Sequence, residues 1–341
     1  MIIIHEISTD VYDKINTLIE LKKYQNIETF LDISIKNQLT IEQSYDDSKK
    51  TWKKGNELFR YLKNVTDKPL TVQSRLSKNE FHEPLSGLIN RYSPSKIILR
   101  TLSNFILERK NQFIDYKEFC NSLISLCTNI RSILDKIEQK ENKYFRGKSL
   151  KVGLPQNNQK SRQRFLDFYI GSFSSKKNDG LLSTLNFIAV YNDKNTSSPV
   201  IGLTEEGYKF SSLKSPLIDD LIILGKTISN PLSIDEIFFI LNHLKNIEHG
   251  EFSFSNYLYE SIKDGYNTPQ KLNLRTIKYF GNKNLSASTI NNLKTGALSR
   301  LVELNLIQIT RKGIYTTYKL VRDYKSLYDW LATNTERLIE N

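Results

Sequence analysis

The sequence predicts a mainly α protein with small β-hairpins, built from a short N-terminal unit and two larger helical modules. Three observations carry this. Apolar residues recur at helical spacing along most of the chain, and only a few short runs read as strands. Twice, a series of helices ends in two short strand-like runs joined by a polar turn. The net charge of +12 over 341 residues is concentrated in two windows. Residues 143–177 carry nine Lys and Arg against Asp167 alone, and residues 271–325 carry eleven against Glu303 and Asp323. The stretch between them, 178–270, is net −6. Concentrated cationic windows suit phosphate neutralisation better than uniform basicity does.

Residues 1–43 read as strand, helix, turn, helix. Ile2–Ile7 is strand-like, and a helix opens at Ser8 or Thr9 with Val11, Ile15, Leu18 and Ile19 on one face. Tyr24-Gln25-Asn26 breaks it, and a second helix follows with Ile27, Phe30, Leu31, Ile35 and Leu39. So small a unit buries little by itself and is expected to dimerise. Ile7 to Ile15 and Tyr24 to Leu39 resemble the two helices of the ribbon-helix-helix family. That resemblance implies pairing of strands from two subunits, with Ile2, Ile4 and Glu6 in the positions that read bases. Two apolar side chains and one acid are poor partners for base edges, so the unit is expected to join subunits rather than read DNA.

Residues 44–90 read as a helical linker, with short pieces around Trp52, Leu58, Phe59 and Leu62 punctuated by Gly55, Pro69, Pro84 and Gly87. The first large module spans 91–225. Ser93-Pro94 marks a helix start, with Ser93 as cap. A long helix opens near Asp115, with Phe119, Leu123, Leu126, Ile130, Leu134 and Ile137 on its core face. The first basic window follows, and a short helix resumes near Ser161 with Phe165, Phe168 and Tyr169 buried. Leu185–Tyr191 and Val200–Leu203 read as two strands, and Thr204 caps the next helix. The order resembles a winged-helix domain, with Gly202 to Gly207 similar to the exit of such a wing and an insertion near Phe145–Gln159.

The second module spans 230–341. Ser233 and Glu236 form a capping box, ahead of an inner face of Ile237, Phe238, Ile240, Leu241 and Leu244. Phe252–Ile262 is a second helix, and 265–285 reads as a polar, basic connection. Ser286 then caps a helix with Ile290, Leu293, Ala297, Leu301 and Leu304 inward. Leu306, Ile307 and Ile309 begin a strand, Arg311-Lys312-Gly313 turns, and a second strand carries Tyr315 and Tyr318. A last helix holds Tyr324, Leu327, Tyr328, Trp330 and Leu331. Helix, strand, basic turn, strand resembles the reading helix and wing of a helix-turn-helix protein. The fold class is therefore expected to be tandem winged-helix domains plus a ribbon-helix-helix-like unit.

These features nominate a nucleic-acid interface. Ser288, Thr289, Asn291, Asn292, Lys294 and Thr295 are expected to face outward near the start of the reading helix, where short polar side chains suit base edges. Arg311 and Lys312 suit the adjacent backbone, and Lys278, Lys283 and Arg300 suit phosphates. In the first module Lys148, Lys151, Lys160, Arg162 and Arg164 form a second phosphate-gripping set.

Signals for catalysis, metals or cofactors are weak, and none is expected. His5, His82, His243 and His249 lack paired ligand spacing, no phosphate-binding glycine loop occurs, and Asp135 with Glu141 lies on a helix rather than on a nuclease strand pair. Cys120 and Cys127 lie two helical turns apart, about 10.5 Å, too far for a disulfide. No apolar run of about 18 residues occurs, and there is no secretory pattern, so a cytoplasmic, non-membrane protein is expected. The sum is a homodimeric protein that binds double-stranded DNA, most simply a transcriptional regulator. A replication initiator of plasmid or viral kind, or the non-catalytic DNA-recognition subunit of a nuclease or defence complex, would show the same features.

Overall fold

The computed structural model describes residues 59–73, 83–141, 149–171, 180–192, 199–281, 283–312 and 315–321, together with Asn16, Thr17, Asn26 and Thr29. The chain divides into two compact units, Met1–Glu57 and Leu58–Asn341. Apart from those four residues, the expected N-terminal unit and its dimer contact lie outside the described residues, as does the expected last helix after Val321. The side chain of Asn26 accepts from the Thr29 amide at 2.8 Å, which suits the break expected there.

The second unit is mostly helical with small antiparallel sheets. Its first helix, α1 (Ser93–Arg109), carries Pro94 in its first turn and is buried along nearly all of its first eleven residues. Ser93 does not cap it. The carboxylate of Glu303, 210 residues away, accepts from the amides of Ser93 at 3.2 Å and of Tyr92. A buried helix start needs an acceptor of this kind, and this one is supplied by tertiary structure.

A two-residue strand, β1 (Ile114–Asp115), leads into α2 (Tyr116–Glu141), whose start is capped by Asp115 accepting from Glu118 at 2.7 Å. The helix α3 (Gln159–Tyr169) is capped by Asn158, one turn's length from the expected start. After a single helical turn at Leu181–Thr184 come β2 (Ile188–Asn192) and β3 (Pro199–Leu203). The sheet order is β1-β3-β2, with Ile114 opposite Ile201 and Ile188 opposite Leu203. Thr204 caps α4 (Glu205–Ser212) as expected, accepting from Gly207 at 3.1 Å. A π-helical stretch, Pro216–Ile223, follows.

The second module opens with α5 (Ile234–Asn246), whose Ser233–Glu236 capping box is complete. Then come α6 (Gly250–Lys263), α7 (Pro269–Tyr279) and α8 (Ala287–Glu303), closed by β4 (Ile307–Lys312) and β5 (Tyr315–Leu320). The helix α7 corrects the expectation of an irregular connection over 265–285. Thr268 caps it and Pro269 occupies its first turn, yet only Leu272 and Thr276 of its residues are buried. The amide of Tyr318 on β5 donates to the Asn267 carbonyl between α6 and α7 at 2.8 Å. That bond occupies the place β1 holds in the first module. From α6 on, the second module thus follows the order of the first, helix, edge pairing, helix, helix, hairpin, with the short Leu181–Thr184 turn added before the hairpin of the first.

Both modules share one continuous apolar core. From the described parts of 44–90, Tyr61, Leu62, Leu85 and Ile89 join it. Leu62, Val65, Val72, Leu85 and Ile89 are buried, and the Val72 amide donates to Leu203 at 2.8 Å beside β3. Ion pairs with buried cations tie distant elements of the unit together. Lys96 on α1 lies 3.3 Å from Glu236 on α5, and Arg100 on α1 grips Asp219 of the π-helical stretch. Burial pushes Lys96 down to about 8 and the Glu236 carboxyl up. Buried pairs contribute little net stability but penalise any packing that separates the partners.

Candidate nucleic-acid interface

The start of α8 is the most exposed part of a helix that is otherwise enclosed. Ser286 caps it, its hydroxyl accepting from Thr289 at 3.1 Å and lying 2.8 Å from the Thr289 hydroxyl. Ser288, Thr289, Asn291, Asn292 and Thr295 are all exposed. From Gly296 to Ile307 every residue is buried. Its exposed side chains thus lie within its first two and a half turns, alongside the partial positive charge of its N-terminus.

Two nominated cations on α8 are corrected. Lys294 is 5% exposed, and its ammonium donates to Asn273 on α7 at 3.1 Å, pinning the two helices together. Arg300 is fully buried between modules. Its Nε and Nη2 each lie 2.8 Å from a Glu251 oxygen, and its Nη1 donates to the carbonyls of Ser86, at 3.2 Å, and Ile89. Glu251 in turn accepts from the Leu85 amide at 3.0 Å. With four of its five N–H donors bonded inside the protein and no exposed surface, Arg300 is not placed to meet a phosphate. It fastens the 85–93 segment across α8 instead.

That crossing is close. A Cβ built on Gly296 would lie 2.7 Å from the Gly87 carbonyl oxygen, and one built on Gly87 would lie 2.2 Å from backbone atoms of Asn292. Both positions accept only glycine because backbone meets backbone there.

Around the α8 start, Lys278 and Lys283 are exposed, Lys283 making only a loose pair at 3.8 Å with Glu83. In the second hairpin, β4 and β5 pair from Ile307–Leu320 to Lys312–Tyr315. Arg311 is exposed near the tip; the side chain of Lys312 lies outside the described residues. Tyr315 is 73% exposed. Glu303 is the only carboxylate in residues 271–321, and it is buried under α1. The visible surface of this segment therefore carries cations and neutral polar groups without an acid.

The first module contributes less than expected. Lys160 and Arg164 are exposed on one face of α3. Lys151 is ion-paired with Asp135 and lies 3.7 Å from Glu138, so its charge is answered internally. Its hydrogen bond to Asp135 raises its pKa. The same loop is tied to α2 by Arg131, which donates to the Lys151 and Leu154 carbonyls at 2.9 Å. Arg162 is half-buried and hydrogen-bonded to Asn157. Lys148 lies outside the described residues. Residues Leu88–Asn90 run from α8 towards α3, because Gly87 lies on α8 while Leu88 and Asn90 border a cavity against α3. Four residues span at most about 14 Å.

Other chemistry finds no support among the described residues. They contain no group of three or more metal-ligating side chains. Burial pushes the Cys120 thiol up to about 12 and Cys127 higher still, so neither is a ready nucleophile. His249 is buried and caps α6, its Nδ1 accepting from Glu251 at 3.0 Å. His243 is buried against the Leu185 carbonyl at 2.6 Å. No described helix is long and apolar enough to cross a membrane.

No protein-family model, curated protein or solved structure matches this chain.

Sequence reasoning missed Gly87, Glu303 and α7. Gly87 and Glu303 act across more than 200 residues, where no local pattern reaches. The α7 start was visible in Thr268-Pro269, a cap followed by a first-turn proline.

Proposed function

We propose that this chain is a double-stranded DNA-binding protein built on two winged-helix modules, with α8 as the reading helix and β4–β5 as its wing. The observation that carries the reading is the exposed, capped start of α8 within a segment, residues 271–321, whose one carboxylate is buried. Its Ser288, Thr289, Asn291, Asn292 and Thr295 suit base edges, and Lys278, Lys283 and Arg311 suit the flanking phosphates. The shared order of elements, with the β1-β3-β2 sheet of the first module and the β4-β5 hairpin of the second, supports the winged-helix assignment. Because the Lys96–Glu236 pair and the shared core hold both modules in one unit, Lys160 and Arg164 act together with α8. The role that fits is a transcriptional regulator, working as a homodimer through residues 1–43.

The test is a titration of mixed-sequence duplex into the full chain, with Asn291→Ala/Asn292→Ala as the variant. These positions are exposed, so their stability effect stays within about 0.5 kcal/mol. Wild type binds at low salt, and the variant loses discrimination between selected and random duplexes. Equal discrimination by both proteins removes α8 from the reading, and no binding by wild type ends it.

A further inference from the structure

We infer that the cavity between α3 and the 88–90 segment receives a single unpaired nucleobase, making the protein a reader of DNA that carries an unstacked base. The inference rests on the DNA-binding reading and extends it. The cavity holds about 190 Å³, below the roughly 300–1,000 Å³ of sites that enclose a drug-sized ligand. Its volume suits one flat ring system. Phe168, half-buried, and Leu88, 55% exposed, line the cavity with apolar surface. Asn90 and Ser161 supply the polar edge. The Asn90 amide makes only a long bond of 3.4 Å to the Leu88 carbonyl. The Ser161 hydroxyl accepts from the Gln156 amide at 2.9 Å and keeps its proton to donate.

Position chooses the occupant. Arg164 is exposed and also lines the cavity. It shares the α3 face with Lys160, the face assigned above to phosphates. A nucleotide whose phosphate rests on Arg164 brings its own base to the cavity. On the other side, the Leu88–Asn90 wall continues from Gly87, which lies on α8. The cavity thus sits between the two proposed grips. A base inside a duplex cannot enter without unpairing, which costs a few kcal/mol. A bulge, gap or melted step offers one freely. Base–aromatic stacking tolerates any base, so the site selects structure rather than sequence.

The experiment uses the full chain and duplexes carrying 2-aminopurine, either paired or as a one-nucleotide bulge. Wild type binds the bulged duplex about 10-fold or more tighter than the paired one, and the bulged fluorophore is quenched on binding. Phe168→Leu keeps the wall apolar but removes the ring, and lowers the preference for the bulge about 5-fold or more. It leaves affinity for the paired duplex unchanged. Asn90→Ala, at a half-exposed position, lowers the preference about 3-fold and serves if Phe168→Leu does not fold. Equal affinity for bulged and paired duplex overturns the inference while leaving duplex binding intact. So does quenching that persists unchanged in both variants. Binding of free 2-aminopurine nucleotide without any gain for the bulge assigns the cavity to a small molecule and also overturns it. Failure of both duplexes to bind at low salt refutes the DNA reading itself.

Discussion

Removing Arg300 should damage folding rather than DNA affinity, and the size of the damage follows from its surroundings. Arg300→Ala leaves Glu251, itself fully buried, without its counter-charge. It also leaves the Ser86 and Ile89 carbonyls without a donor. Deleting one partner of a buried pair costs about 3–5 kcal/mol. Against a total stability of about 5–15 kcal/mol, that is a large fraction. At roughly 2–4 °C per kcal/mol for chains of this size, the thermal midpoint should fall by about 6–20 °C. Calorimetry or urea denaturation of wild type, Arg300→Ala and Arg300→Met/Glu251→Leu measures this. The double variant should lose much less than the single one, because no charge is stranded. An exposed phosphate-contacting arginine behaves otherwise. Its loss would shift stability by no more than about 0.5 kcal/mol and flatten the salt dependence by about one ion. A midpoint for Arg300→Ala within 2 °C of wild type would therefore refute the fastening role.

Three further outcomes follow from the same geometry. Gly296→Ala should destabilise by about 1–3 kcal/mol, because its Cβ would lie 2.7 Å from the Gly87 carbonyl oxygen; at an ordinary helix position the change stabilises by about 0.5–1 kcal/mol. Denaturant midpoints give the sign. Burial, with the nearby Arg300 charge second, holds His249 down to about 4 from an ordinary 6.5. Between those values the unfolded chain binds more protons. Stability is thus lost as pH falls from 6.5 through 4, by about 3 kcal/mol in all. His249→Asn keeps an acceptor for the Glu251 amide and should flatten that dependence, as urea unfolding at several pH values will report. Ser286→Ala should cost about 1 kcal/mol through loss of its bond to Thr289, with hydrogen exchange accelerating in the first turn of α8.

Local chemistry made much of this fold legible. The Ser233-to-Glu236 spacing, Thr204 and Ser286 each announced a helix start that the structure bears out, since a cap and its amide lie three residues apart. Periodicity found the inner face of α5, where Ile237, Phe238, Ile240, Leu241 and Leu244 are all buried. What failed was long-range. Arg300 and Lys294 read as outward cations because outward faces are inferred from polarity. Their partners, Glu251 and Asn273, come from other helices. Ser93 read as a cap because nothing nearby reveals Glu303. The helix α7 escaped notice because Leu274 is 70% and Ile277 44% exposed, so its apolar residues do not form the usual single inward stripe. The candidate site was legible at its exposed tip, Ser288 to Thr295, and illegible wherever side chains turn back into the protein.

The most direct test of the central claim is the salt dependence of duplex binding by wild type and by Arg311→Gln/Lys312→Gln. The account predicts that log K falls linearly with log salt concentration for wild type. It predicts a slope shallower by about 2 in the variant, one ion for each lost phosphate contact. No binding at low salt, or an identical slope for both proteins, would contradict it.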